Sequence, residues 1–350
     1  MFGREDWDEV ARRYEAWWAR EGPLFLVTAR KKDAPPVLDL SHVDPTEKRV
    51  NPEHVIARTE DALEHTYYGG DAFAHIFVNL GPGILAGYLG CQVHMDERTV
   101  WFEKCIHSWE GQRFELNPGN AWWQKTLRLT EALCEASRGR FHVSVTDLGG
   151  SYDILASLRG TQEILFDFAD APDALARAAA EVTDAWLECH EALYALTTKH
   201  QPGSSVWFPI WSPGRMYVPQ SDISAMLSPE DFRRHDVPQL RRICDAMDHI
   251  VYHLDGPDAI KHVDALLEIP ELDAIQWVPG AGAKPMREWV PLLARIQDGG
   301  KGVCCCGVKP EDVEPLARAL RPEGLYISCR ARDESEARAL EKQATTWLAR

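Results

Sequence analysis

Short apolar runs alternate with longer amphipathic stretches along this chain, and that alternation predicts strands connected by helices. Eight runs read as strands: 24–29, 73–80, 141–147, 206–211, 250–255, 274–278, 302–306 and 324–329. The later ones carry clear helix starts. Pro257-Asp258 opens AIKHVDALLEI, in which Ile260, Val263, Leu266 and Leu267 share one helical face. Pro285 precedes REWVPLLARIQ, Pro310 opens EDVEPLARAL, and Asp333 with Glu336 resembles a capping box. Eight strand–helix units predict a (β/α)8 TIM barrel, an α/β fold of typically ~250 residues. A chain of 350 residues leaves room for an N-terminal helical cap at 1–22 and a β-containing insertion after strand 2, at 81–140. Within that insertion QVHMDERTVWFEKCIHSWEG reads as a hairpin. Residues 1–350 then form a single domain. A doubly wound open sheet would want a glycine-rich loop after the first strand, where TARKKDAPP stands instead.

Composition narrows the class. Apolar residues make up 45%, enough for a large core, and the formal charge of −16 disfavours nucleic acid or an anionic membrane as partner. No run of ~18 apolar residues suggests a membrane span, and the charged N-terminus lacks a signal-peptide core. Nine cysteines, an odd number scattered along the chain, do not read as a disulfide framework, so a cytoplasmic location is expected. The 13 tryptophans lie mostly in the cap, the insertion and the predicted helices. Trp211 and Trp277, on strands, are left as candidate pocket walls.

In a barrel the site forms where strands end, so strand-terminal polar residues are the candidates. Strand five ends YHLDG, and alternation puts His253 and Asp255 on one face, as metal ligands or a proton-transfer pair. Alone, that pair reads more readily as a helix cap and a satisfied core histidine than as a site. Cys329 ends strand eight, and convergence at one rim would bring it to the same centre. Asn79, before a Gly-Pro-Gly turn, either contacts substrate or holds the turn. Asp147, before a double glycine, is a polar site residue or a turn former. The long segment after 211 offers Tyr217, Gln220 and Asp222 for substrate.

SLRGTQEILFDFADAPDAL, SDISAMLSPEDF, YHLDG and LYISC, in this order and spacing, resemble the uroporphyrinogen decarboxylase-like superfamily. That superfamily contains uroporphyrinogen decarboxylases and methylcobalamin:coenzyme M methyltransferases. The resemblance implies a (β/α)8 barrel. In the methyltransferases a His-x-Cys and a second Cys bind zinc, which activates an acceptor thiol. Carried over, this implies zinc on His253, Asp255 in place of the first Cys, and Cys329. It also implies a methyl group carried by a corrinoid partner protein, and a homodimer by analogy. The resemblance argues against uroporphyrinogen itself as substrate. Arg30 stands without the family's arginine-rich turn, Asn79 takes the place of an Asp, and Cys329 that of a His.

The leading expectation is therefore a zinc-assisted, corrinoid-linked methyltransferase acting on a small molecule. A decarboxylase or lyase is the second, with Arg30, Arg159 and Arg215 holding carboxylates. An aromatic-lined binding protein or carbohydrate-active barrel is the third, using Trp207, Trp211, Trp277 and Trp289 with Asp147 and Asp222.

Overall fold

β-branched and aromatic residues concentrate in the apolar runs, and the chain extends there. A computed structural model describes residues 1–349 except 33, 35 and 36. Its strands are β1 Leu24–Arg30, β2 Thr66–Gly70, β3 His75–Phe77, β4 Gln92–Met95, β5 Val100–Glu103, β6 His142–Ser144 and β7 Ser204–Ser205. They continue as β8 Trp211–Ser212, β9 Met216–Tyr217, β10 His249–Asp255, β11 Ala274–Val278, β12 Gly302–Val308 and β13 Leu325–Arg330. One seven-stranded sheet runs in the order β2-β1-β13-β12-β11-β10-β9. All its pairs are parallel except β1 with β2. Parallel strands covered by helices on their outer face account for nearly continuous burial along β11, β12 and β13.

The remaining strands form pairs: β3 with β6, β4 with β5, β7 with β8. Single hydrogen bonds link the β3–β6 pair to its surroundings. The amide of Val145 donates to Ser205 at 3.2 Å and that of Ala74 to Phe2 at 2.9 Å. Among the described residues, strand ladders do not close the sheet into a ring. The fold is mixed α/β with a central parallel sheet.

Two expectations need correction. The segment 206–211 is not a strand until Trp211, which opens β8. Pro209 has no N–H to give a ladder, and the amide of Ile210 donates to Phe208 at 2.7 Å, folding the chain into a tight turn. The strand that pairs with β10 is β9, inside the stretch read as a loop and bracketed by Pro213 and Pro219. β2 adds an antiparallel edge that the pattern did not suggest.

The helix Trp7–Trp18 closes one end of the sheet. Its apolar face is aromatic: Trp7, Tyr14, Trp17 and Trp18 are all buried. Trp18 stacks on His249, the first residue of β10, at 4.3 Å. Trp17 meets Tyr326 near the start of β13 at 6.3 Å. This helix therefore covers the N-terminal ends of the strands and leaves the C-terminal ends open.

Candidate functional site

Three ligand-type side chains converge at the open end. Side-chain atoms of Asp222, His253 and Asp255 all lie within 4.8 Å of one another. His253 and Asp255 are two apart on β10, so pleating sends both to one face. Asp222 begins the 3-10 turn Asp222–Met226, which β9 delivers beside β10. An isolated bridge between Gln220 and His253 and the bond from the His253 amide to Pro219, at 2.9 Å, hold that approach in register.

The turn is anchored from below. Asp153, on the helix Ser151–Arg159, accepts the amides of Asp222 and Ile223, both at 2.9 Å. Burial, and then the neighbouring Asp222, push its carboxyl up to about 8. Asp222 is itself raised, first by desolvation and then by Asp255, with His253 opposing. The cluster is thus a crowded group of carboxylates that a positive charge stabilises.

His253 is oriented by its neighbour on β11. Its register partner Gln276 is buried, and the two side chains meet at 2.6 Å between Nδ1 and Oε1. An amide oxygen only accepts, so with Oε1 turned to the ring Nδ1 is the donor, and in the neutral ring Nε2 keeps its lone pair. That is the tautomer of a metal-binding imidazole. Cys306, on β12, is within hydrogen-bond reach of both Gln276 and Ser328, and burial pushes its thiol up to about 12. Trp207 abuts His253 edge-on at 5.9 Å.

A cleft of about 590 Å³ opens beside Asp222. The β4–β5 hairpin supplies one wall with Trp101 and Lys104, and the 3-10 turn supplies another with Asp222 and Met226. Trp101 and Met226 are 47% and 54% exposed, unusual for such large apolar side chains and suited to an unfilled binding surface. Gly83 and Gly149 form part of the lining.

The sequence-nominated residues divide into two groups. His253, Asp255 and Asp222 come together, and Gln220 lines the cleft with Asp222. The others do different work. Cys329 is absent from the cluster and faces the outer helices, where burial and then Glu336 of the helix Glu334–Leu348 push its thiol up to about 12. The inward face of β13 is the alternate one, carrying Tyr326 and Ser328. Asn79 accepts the Gly81 amide at 3.2 Å and so holds its turn. Asp147 accepts the Gly149 amide at 2.7 Å and the Tyr217 hydroxyl at 3.3 Å, and burial pushes its carboxyl up to about 6. Tyr217 is fully buried and accepts the Leu148 amide at 2.6 Å. Trp211 is no pocket wall: it packs on Trp7 at 5.4 Å and donates its indole N–H to Pro202 at 3.0 Å. Trp277 is fully buried against Trp289 at 4.9 Å. Both are large packing residues that alternation alone cannot tell from pocket walls.

The arginines expected to hold carboxylates are occupied. Arg159 pairs with Asp167 at 2.8 Å and Arg215 with Glu191 at 2.9 Å. Asp153, Gln276, Trp101 and Met226 were not anticipated. A lone glutamine inside the apolar run AIQWV, opposite His253, is the one signal that pointed to Gln276.

No protein-family model matches the sequence, and no match is found among curated proteins. Among solved structures the chain is similar to a methyltransferase from Methanosarcina mazei. The alignment covers 97% of this chain and 99% of that one, with a TM-score of 0.64 and 11% identity. At that identity the likeness is one of fold. Among the described residues no helix is long and apolar enough to cross a membrane.

Proposed function

We propose that this protein is a metal-assisted methyltransferase built on a (β/α)8 barrel of the uroporphyrinogen decarboxylase-like type. β3, β6 and the 204–220 stretch would complete the barrel wall between β1 and β10. The observation that carries the functional reading is the Asp222–His253–Asp255 cluster, with Gln276 fixing the His253 tautomer, at the edge of the cleft. The methyltransferase name of the fold neighbour supports the same class of reaction.

The donor set fits a divalent ion. It offers two carboxylates and one imidazole nitrogen, three protein ligands on one side, as in catalytic rather than structural sites. Without a thiolate the site is harder than the family's His/Cys/Cys set, so zinc is compatible and iron or manganese compete with it. When bound, the ion would supply Lewis-acid activation of an acceptor. The chain's own residues do the rest. Gln276 orients His253 and Asp153 fixes the turn bearing Asp222. Trp101 and Met226 give the acceptor an apolar seat that excludes water. The methyl group is assigned to a corrinoid partner presented at the open end of the cleft, and a homodimer and a cytoplasmic setting accompany this reading.

Elemental analysis of purified protein tests it directly. We expect stoichiometric zinc or a competing divalent metal, lost on His253→Ala and reduced on Asp222→Asn, with methylcobalamin demethylation following metal content. Metal-free protein that does not take up zinc on titration would sink the proposal.

A further inference from the structure

Two cysteines flank the hairpin that walls the cleft. β4 and β5 pair antiparallel from Met95↔Val100 out to Gln92↔Glu103. Cys91 lies immediately before the first leg and Cys105 shortly after the second. Their sulfurs are 3.9 Å apart. Cys91 is buried, while Cys105 is the only exposed cysteine among the described residues, where all nine cysteines are free thiols. The base of the hairpin rests on the end of the helix Ser151–Arg159. The amides of Cys105 and Ile106 both donate to the Leu158 carbonyl at 2.9 Å, and the Cys91 thiol donates to Ser157 at 3.5 Å. Ser157 also lines the cleft, as do Trp101, Phe102 and Lys104 of the hairpin and its following residue.

We propose that Cys91 and Cys105 form a reversible redox pair that locks the base of the β4–β5 hairpin. The accessible thiol is the one that meets an oxidant, and the buried one is already within near-contact distance as its resolving partner. With a peroxide as oxidant the steps balance. Cys105 attacks one peroxide oxygen, the O–O bond breaks, and a sulfenic acid and water form. The Cys91 sulfur then attacks the Cys105 sulfur, the S–OH bond breaks, and the Cys91 proton leaves with the hydroxide as a second water. The peroxide is reduced and the two thiols are oxidised to one disulfide.

The consequence is mechanical. In the dithiol form hydrogen bonds hold the base of the hairpin to the helix end, while Val93, Met95 and Phe102 pack on the core and Glu97 at the tip pairs with Lys48 at 2.7 Å. In the disulfide form its two legs are also tied covalently where they leave the helix end, which restrains opening of the base beside the cleft. This inference rests on the hairpin geometry and stands whether or not the cluster at Asp222 binds metal.

The test uses reduced full-length protein treated with hydrogen peroxide, quenched by thiol alkylation and digested without reductant. We expect a linked peptide pair containing Cys91 and Cys105, lighter by two hydrogens, restored to free thiols by dithiothreitol. It should be absent in Cys91→Ser and in Cys105→Ser. In Cys91→Ser, Cys105 should instead proceed to sulfinic acid, because no resolving thiol remains. Hydrogen exchange at 92–103 should slow on oxidation of the unmodified sequence and not in either variant. Alkylation of both residues after peroxide, overoxidation of Cys105 with Cys91 intact, or linkage of Cys105 to another cysteine would each overturn the pairing. Unchanged exchange despite a formed disulfide would overturn the lock.

Discussion

At the scale of single residues, the site depends on one hydrogen bond that binds nothing itself. Gln276 selects the His253 tautomer across the β10–β11 pair. Replacing Gln276 with Leu removes the acceptor while keeping a side chain of similar size. Loss of such a partner to a metal-ligating histidine costs ~10–100-fold in affinity. We therefore expect zinc affinity, read by competition with a chromophoric chelator, to fall by that order while thermal unfolding in chelator stays cooperative. Unchanged affinity would show that Gln276 serves packing only. Asp236 gives a second residue-scale expectation. It is buried, accepts the Ser221 hydroxyl at 2.7 Å through Oδ1, and leaves Oδ2 without a partner among the described residues. Burial pushes its carboxyl up to about 7, against an unfolded value of ~3.9. The folded state thus holds a proton that the unfolded chain releases. The stability this provides is complete below about pH 4 and is lost as pH rises through about 7. Asp236→Asn keeps the acceptor for Ser221 and removes the titration. Relative to the parent it should gain on the order of 1–3 kcal/mol at pH 8 compared with pH 4. Urea unfolding at both pH values measures it, and a pH-independent difference would contradict the assignment.

At the scale of elements, legibility followed regularity. β10 and β11 were readable because each is one uninterrupted alternating or apolar run, and the same alternation placed His253 and Asp255 together. It failed at β13, where Leu325, Ile327 and Cys329 do share a face, but the face turned to the helices. Both faces of a covered parallel strand are apolar, so the sequence there does not mark inside from outside. A bulge in β12 between Cys305 and Val308, at Gly307 with φ of +63°, further disturbs the pairing across from Cys329. The strand next to β10 was missed because two residues between prolines carry no period. Asp222 entered as a loop residue for substrate, and only the folded path of β9 puts it beside His253. The cleft floor beside Asp222 depends on close loop contacts. A Cβ on Gly149 would lie 2.8 Å from the Gly83 Cα, and Gly149 has φ of +78°. Gly282 has a similar φ of +75° with nothing within 4 Å of its added Cβ. Gly282→Ala therefore reports backbone strain alone, of order ~1 kcal/mol. Gly149→Ala should cost more, ~2–4 kcal/mol, because two loop backbones must also separate. Equal costs in urea unfolding would mean that the two loops yield freely.

At the scale of the whole molecule, the 1–22 segment is better regarded as part of the core than as an added cap. Phe2 is fully buried, its amide donates to Gly139 at 2.7 Å, and its carbonyl accepts from Ala74 at 2.9 Å beside β3. The Tyr14 hydroxyl lies 3.2 Å from the backbone carbonyls of both Asp71 and Pro209, which share its one proton, and Trp18 donates its indole N–H to the Trp211 carbonyl at 2.9 Å. These bonds reach the edge of β1, the β3–β6 pair and the β7–β8 turn, which strand ladders leave unconnected to one another. The N-terminal segment thus joins parts of the sheet that few other backbone bonds connect, the Val145 amide to Ser205 at 3.2 Å being one of them. Removing it would uncover Phe73, Trp211 and Tyr326 and leave the Ala74 amide without its acceptor. Phe or Trp truncations in a core cost ~3–5 kcal/mol each, and domain stability totals ~5–15 kcal/mol. Loss of Phe2, Trp7, Trp17 and Trp18 together therefore exceeds what the remaining fold can absorb. A chain of residues 23–350 should bind hydrophobic dye, keep far-ultraviolet helix signal and lose its near-ultraviolet signal and cooperative melting. Trp18→Ala alone should remain folded with a lowered melting temperature. A truncated chain melting cooperatively near the parent temperature would return the segment to the status of a dispensable cap, and would require the strand pairs to be held together by contacts other than those through Phe2, Tyr14 and Trp18.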